Sequence, residues 1–168
     1  MSLARIDQPR EAPFWYNMLR EPMYIGAQRR KAEREAMLEC FRLILERTDP
    51  SVHGDRSRGW VGGRTLLHDL AGDRHEMRPA DRVSIATMLL DAGARLDIRD
   101  DLLASTPLGW ACRWGKVELV ELFLTRGADP VESDTEPWAT PRAWAARYGH
   151  TKIQRLLNAL NTANVRPR

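Results

Sequence analysis

Lysine is scarce in this sequence. Of its 26 basic residues only Lys31, Lys116 and Lys152 are Lys; the other 23 are Arg. Cysteine is scarce too, with Cys40 and Cys112 alone. Two thiols cannot build a disulfide framework, and by themselves they are too few for a zinc site. They point to a reduced, cytoplasmic protein. Apolar runs are short, such as Leu43-Ile44-Leu45 and Leu122-Phe123-Leu124, far below the roughly 18 residues of a membrane span. The stretch after Met1 has no apolar core of signal-peptide length. An excess of one charge sign is also missing. The 26 basic residues face 23 acidic ones, for a net charge of +3. Nucleic-acid binding wants a basic face or stripe, which this balance does not supply.

What is present is a chain of 168 residues, 43% apolar and 29% charged. That describes one globular domain. The Arg excess and the 6 Trp have two readings. One is GC-rich codon usage. The other is a recognition surface, since Arg and Trp dominate interface energetics. Where these residues lie decides between them.

The chain repeats itself. Ser105-Thr106-Pro107-Leu108-Gly109-Trp110-Ala111 matches Ala139-Thr140-Pro141-Arg142-Ala143-Trp144-Ala145, with Thr106 and Thr140 34 residues apart. Met88-Leu89-Leu90-Asp91-Ala92-Gly93-Ala94 matches Leu122-Phe123-Leu124-Thr125-Arg126-Gly127-Ala128, and Gly93 and Gly127 are again 34 apart. Thr-Pro places a hydroxyl N-cap before a Pro at the first helical position. This predicts a short helix from Pro107 to Trp114, closed by Gly115. Val117, Leu119, Val120, Leu122, Phe123 and Leu124 are apolar at helical spacing, which predicts a second helix stopped by Gly127. Ala128-Asp129-Pro130 then opens an irregular turn. A unit this small cannot bury its own apolar faces and must stack on neighbours.

Thr-Pro-Leu, a Gly at the helix turn, an aliphatic second helix and Gly-Ala-Asp at this spacing resemble the ankyrin repeat. The match is best from Thr106 to Asp129 and strong again from Thr140 to Leu157. Gly63-Arg64-Thr65-Leu66-Leu67-His68 fits another start, with Leu66 replacing the usual Pro. A degenerate unit lies upstream, at Met37 to Leu45 followed by Thr48-Asp49-Pro50. The resemblance implies an all-α solenoid of helix-turn-helix units joined by β-hairpin-like loops. The expected organisation is an aromatic N-terminal segment over 1–20, units at 21–62, 63–104, 105–138 and 139–160, and a tail over 161–168. Pro13-Phe14-Trp15-Tyr16-Asn17-Met18-Leu19 is expected to pack over the first unit, or else to contact a partner or a further domain. The last helix, Thr151 to Leu160, carries Lys152, Gln154, Arg155 and Asn158 on one face, as a closing unit should.

Two departures stand out. The second unit is 7 residues longer than the third. Its insert, Asp73-Arg74-His75-Glu76-Met77-Arg78-Pro79, is expected to lengthen the turn between helices. The loop from Pro50 to Gly63 is long as well, and long loops in compact domains are functional or mobile.

Enzyme and metal constellations fail on inspection. His75-Glu76 lacks a second His four positions on, where Pro79 stands. Gly59-Trp60-Val61-Gly62-Gly63-Arg64-Thr65 lacks the Lys and spacing of a phosphate loop. Ser51, Ser57, Ser84, Ser105 and Ser133 have no nucleophile-elbow context. Cys112 stands where a small core residue is wanted. His68 and His150 are expected to be structural, bonding backbone between units. No catalytic residue, metal or cofactor is expected.

The resemblance also implies where a partner binds: the concave surface of loop tips and inner helices. The two residues before each helix-turn Gly face it. These are Arg113 with Trp114, and Arg147 with Tyr148, an Arg-aromatic pair recurring after 34 residues. Stacked units set such pairs about 10 Å apart. Alternatively Trp114 and Tyr148 merely pack on each other or on Trp110 and Trp144, four residues earlier, which read as core. The loop tips add Arg56, Arg58 and Trp60, then Arg99 and Leu102, then Trp138. Trp60, Leu102 and Trp138 are candidate exposed anchors. The Arg residues favour a partner with an acidic patch, or phosphates. Asp73, Asp101, Glu132, Asp134 and Glu136 are candidates to break up any positive face. Arg34, Arg42, Arg82, Arg126 and Arg155 are expected on solvated outer helices. The reading is a monomeric, non-catalytic scaffold or adaptor that binds a partner protein. The alternatives are a regulatory or immunity-type inhibitor and, behind it, an Arg-rich nucleic-acid-binding surface.

Overall fold

The structure is a computed structural model, and it describes residues 19–20, 30–48, 62–73 and 77–164, with side chains to residue 160. Seven helices are bounded within these residues: α1 (Lys31–Leu45), α2 (Leu66–Gly72), α3 (Pro79–Asp91), α4 (Pro107–Arg113), α5 (Val117–Thr125), α6 (Pro141–Arg147) and α7 (Thr151–Asn164). The first helices of successive units, α2, α4 and α6, stack in one row. The second helices α3, α5 and α7 form the other row, and α1 joins that row by packing on α3. The loops between units contain no strand among the described residues. Single bonds tie them instead, such as Asp101 N–H to Gly62 O at 3.0 Å. No described helix is long and apolar enough to cross a membrane.

The Thr-Pro starts work as expected. Thr106 Oγ1 accepts from Gly109 N–H, and Thr140 Oγ1 from Ala143 N–H, both at 3.2 Å. Each bond satisfies an otherwise unpaired amide of the first turn. The core then forms between the rows. Leu66, Leu67, Leu70, Ile85, Leu89, Leu108, Leu119, Phe123 and Ile153 are fully buried, each contributing about 1.5–3 kcal/mol by leaving water.

Neighbouring units are joined at the carbonyl just before each Thr cap. His68 is fully buried. Its Nδ1 accepts from Thr65 N–H at 3.0 Å, so Nε2 carries the proton and donates to Ser105 O at 3.1 Å. The next unit has Gly109 where His68 stands. There the Ser105 side chain moves in; a Cβ on Gly109 would lie 3.1 Å from it. Ser105 Oγ faces the carbonyls of Ala139 and Leu103, both at 3.0 Å. His150 makes a second link, with Nε2 3.1 Å from Arg113 O. It packs on Gly115, whose φ is +68° and whose missing Cβ would sit 2.7 Å from the imidazole.

The long second unit differs from expectation. Its extra residues do not all enter the turn. The helix α3 runs 13 residues against 9 in α5, because Pro79 presets a helical φ and starts α3 one turn early. That added turn carries Asp81 and Arg82, both buried. Arg78 holds Asp81 through two bonds of 2.9 Å and keeps its carboxyl below the ordinary range, while Arg34 of α1 lies 3.6 Å away. Arg82 reaches Glu118 of α5 and donates to Met77 O at 3.1 Å. Arg82 and Arg34 are therefore not solvated, as expected of outer helices, but clamp three second helices together. His75 and Glu76 lie outside the described residues.

Burial holds the His68 imidazole neutral, lowering its pKa from 6.5 to about 4. The unfolded chain binds this proton at higher pH, so native stability falls as pH drops from 6.5 towards 4. The gap corresponds to about 3 kcal/mol. His68→Gln should lower stability at pH 7 by about 1–3 kcal/mol. Urea melts of this variant at several pH values should also lose that part of the acid slope. An unchanged slope would show that another group carries it.

Candidate functional site

The inner face is built by α2, α4, α6 and the loop tips. Two indoles form its floor. Trp110 is 6% and Trp144 2% exposed, so both are core as expected. Each indole N–H is satisfied: Trp110 Nε1 donates to Asp100 Oδ1 at 2.9 Å, and Trp144 Nε1 to Ser105 Oγ at 2.8 Å. Asp100 is itself buried and also accepts from the amides of Leu102, Leu103 and Ser105 at 2.9–3.1 Å. It shapes the loop tip and fixes the ring below. Its role was not read from the sequence; the signal was an Asp five residues before the Ser-Thr-Pro start, where it can cap the returning loop.

Upon this floor the preceding unit lays its guanidinium groups. Arg64 lies over Trp110 at 4.9 Å. Arg113 lies over Trp144 at 4.5 Å, Tyr148 at 4.7 Å and its neighbour Trp114 at 5.5 Å. Arg147 is 5.9 Å from the Trp144 ring. Tyr148 stacks on Trp144 at 6.1 Å, and Trp138 meets Trp144 edge-on at 6.0 Å. The predicted Arg113, Arg147, Tyr148 and Trp138 thus converge on one aromatic-cationic patch around Trp144, while Trp114 meets it only through Arg113 and faces the second unit at Gly72. The alternative in which Tyr148 packs on Trp144 also holds, yet Tyr148 stays 44% exposed and Trp138 47%.

Leu102 is the most exposed large apolar residue described, at 60%. It borders a cleft of about 440 Å³ shared with Arg64, Leu103, Trp110, Arg113 and Trp114. Arg99 is used differently. Its guanidinium binds Glu132 at 2.5 Å and Asp134 at 2.9 Å in the following loop, tying two tips together. Glu132 is buried and held at a φ of +48°; Thr106 Oγ1 donates to it at 2.6 Å. Burial pushes its carboxyl above the ordinary value, against these two bonds. Arg56, Arg58 and Trp60 lie outside the described residues.

Of the acids proposed to break up a positive face, Asp73 is buried 4.0 Å from Arg82, and Glu132 and Asp134 are bound by Arg99. A larger cleft of about 620 Å³ lies under the loop tips, with Arg95, Arg99 and Arg126 on its walls. Each of these is paired, to Asp97, to Glu132 with Asp134, and to Asp91. No cluster of metal-ligating side chains occurs among the described residues. Burial pushes the Cys112 thiol far up, away from nucleophilic thiolate.

Two rows of short helices, Thr caps at the unit starts and carbonyls bridged between units agree with comparison to protein families. The model for ankyrin repeats, in three copies, matches residues 77–167, just over half of the chain. The chain belongs to the ankyrin-repeat family. Ankyrin repeats generally mediate protein–protein interaction, and the family is typically non-catalytic. No curated protein matches the chain. The matched stretch begins at Met77 and so includes the added turn of α3 as well as the Trp144 patch.

Ser105→Ala removes the acceptor for the buried Trp144 indole and a donor to the neighbouring unit. It should cost about 1–3 kcal/mol in chemical denaturation and alter the Trp144 fluorescence. Stability within about 0.5 kcal/mol of wild type, the range of an ordinary surface change, would disprove this account of the joint.

Proposed function

We propose that this ankyrin-repeat protein is a non-catalytic adaptor that binds a partner protein through its inner face. The observation that carries this reading is the patch around Trp144. Arg113, Arg147, Tyr148 and Trp138 come from two successive units and one loop tip, and share one surface with half-exposed rings. Rings of this size at the centre of a surface are the usual source of interface energy. Leu102 and the cleft beside it extend the same face towards the second unit.

The paired state of seven other described arginines supports a protein partner over nucleic acid. Arg42, Arg64, Arg78, Arg82, Arg95, Arg99 and Arg126 all contact carboxylates of this chain. Their charge is compensated locally and does not add up to the stripe that phosphate backbones require.

Changing Arg113, Trp114, Arg147 and Tyr148 together to Ala should abolish capture of a partner from source-cell lysate, read by affinity purification and mass spectrometry. The circular dichroism spectrum should remain helical. Retained capture by a folded variant would remove the inner-face assignment.

A further inference from the structure

Arg113 stands apart from the arginines around it. Among the described residues it touches no carboxylate and donates no side-chain hydrogen bond. Its guanidinium is instead held by rings, with Trp144 and Tyr148 at 4.5 and 4.7 Å and Trp114 at 5.5 Å. An aromatic ring face offers no oxygen or nitrogen acceptor, so these ring contacts leave the five N–H donors of the rigid fork unused. Arg147, the equivalent residue one unit on, is exposed, 5.9 Å from the Trp144 ring of its own helix and also without a described carboxylate.

We infer that the Arg113 fork is a carboxylate-binding subsite for an acidic residue of a partner peptide, with a neighbouring aromatic residue of that peptide seated on Tyr148 and Trp138. The inference rests on the inner-face reading above and adds the chemistry of the partner to it. Charge complementarity selects the occupant: two guanidinium groups approach the same Trp144 ring without a described counter-charge, beside two half-exposed rings. Geometry sets the spacing. The Tyr148 ring lies 4.7 Å from the cation, and extended chain advances about 3.3 Å per residue. An acidic residue and an aromatic one or two positions away span that interval. A planar fork restrained by these ring contacts spends less rotamer entropy on binding than a free side chain does.

The test uses the full chain labelled with ¹⁵N, following Arg Nε–H and Trp Nε1–H resonances. The probe is a blocked five-residue peptide, Gly-Glu-Gly-Trp-Gly. It should shift the Arg113 Nε–H saturably. The Gln analogue should bind at least tenfold more weakly. Arg113→Lys keeps the charge and loses the fork, and should weaken the peptide at least tenfold. Arg142→Lys should leave it unchanged, since Arg142 approaches Leu157 O on another face. Tyr148→Leu, which leaves Arg113 in place, should weaken the peptide as well.

Three results would overturn the inference. Equal binding of Glu and Gln peptides would make the patch merely apolar. Inorganic phosphate or a phosphotyrosine peptide shifting Arg113 at lower concentration than the Glu peptide would make it a phosphate site. No shift at millimolar peptide, or a shift only after residues 1–18 are deleted, would mean that no partner carboxylate binds the chain as it exists. Loss of the peptide response alongside intact, variant-sensitive lysate capture removes this subsite and keeps the adaptor. A surviving peptide response alongside capture that ignores the fourfold variant does the reverse.

Discussion

The third and fourth units of this fold each begin with a backbone carbonyl that their own helices do not satisfy. Ser105 O and Ala139 O precede the Thr caps of the third and fourth units, where the chain turns from loop into helix. An unpaired buried carbonyl costs about 1–3 kcal/mol, so the preceding unit has to supply a donor. At Ser105 O the second unit supplies two, the Asp100 N–H at 3.1 Å and His68 Nε2. One unit later the corresponding position is Gly109, and Ser105 Oγ faces Ala139 O instead. The two solutions differ in size. An imidazole reaches from inside the helix, whereas a hydroxyl must come from the loop, into space that only Gly109 leaves free. That substitution has a consequence for the inner face. Ser105 Oγ also accepts from the Trp144 indole, so the joint between units fixes the floor of the binding patch.

The arginine excess divides along the same lines. Codon usage explains a number, not a distribution of partners. Arg82 and Arg34 are buried or nearly so and join neighbouring second helices through Glu118 and Asp81. Arg99 joins neighbouring loop tips through Glu132 and Asp134. Arg42 and Arg95 form exposed local pairs, which water screens and which add little to stability. What remains on the inner face, among the described residues, is Arg113 and Arg147. They recur after one repeat length because the same helical register presents them, and they face the ring that the unit boundary has locked in place.

Much of the fold was legible in the sequence because its signals are local. Thr-Pro, Gly115 and the apolar spacing of Val117 to Leu124 each act within one helix, and the period of 34 shows that they recur. His68 was legible because one residue type at one repeat position has one structural use. The insert was not. Whether 7 added residues enter a turn or lengthen a helix depends on what their side chains find. Asp81 and Arg82 found Arg34 and Glu118, which stand 47 and 36 positions away. The same distance hid the pairing of Arg99 with Glu132 and Asp134, 33 and 35 positions away. For the inner face, the sequence indicated which residues share a surface. It did not indicate that Trp144, a core residue, would be the ring around which they gather.

That Trp144 is core and also floor bears on why the cation against it is Arg. An ammonium over these rings would be attracted as a point charge, strongly hydrated and free to point away. A guanidinium is weakly hydrated on its faces, so lying against Trp144 and Tyr148 costs it little desolvation. The contact therefore separates two functions within one side chain. Cation–π attraction, about 0.5–2 kcal/mol depending on desolvation, restrains the group. The N–H donors keep their hydrogen-bonding capacity for a group that is not part of the chain. The backbone is held as well, because Arg113 O accepts from His150 in the following unit. A cation restrained at its backbone and by the rings, with its N–H donors unused among the described residues, is organised before anything binds. Each of those restraints comes from the fourth unit acting on a residue of the third. The patch is thus a property of the unit boundary rather than of either unit, and a single repeat in isolation could not form it.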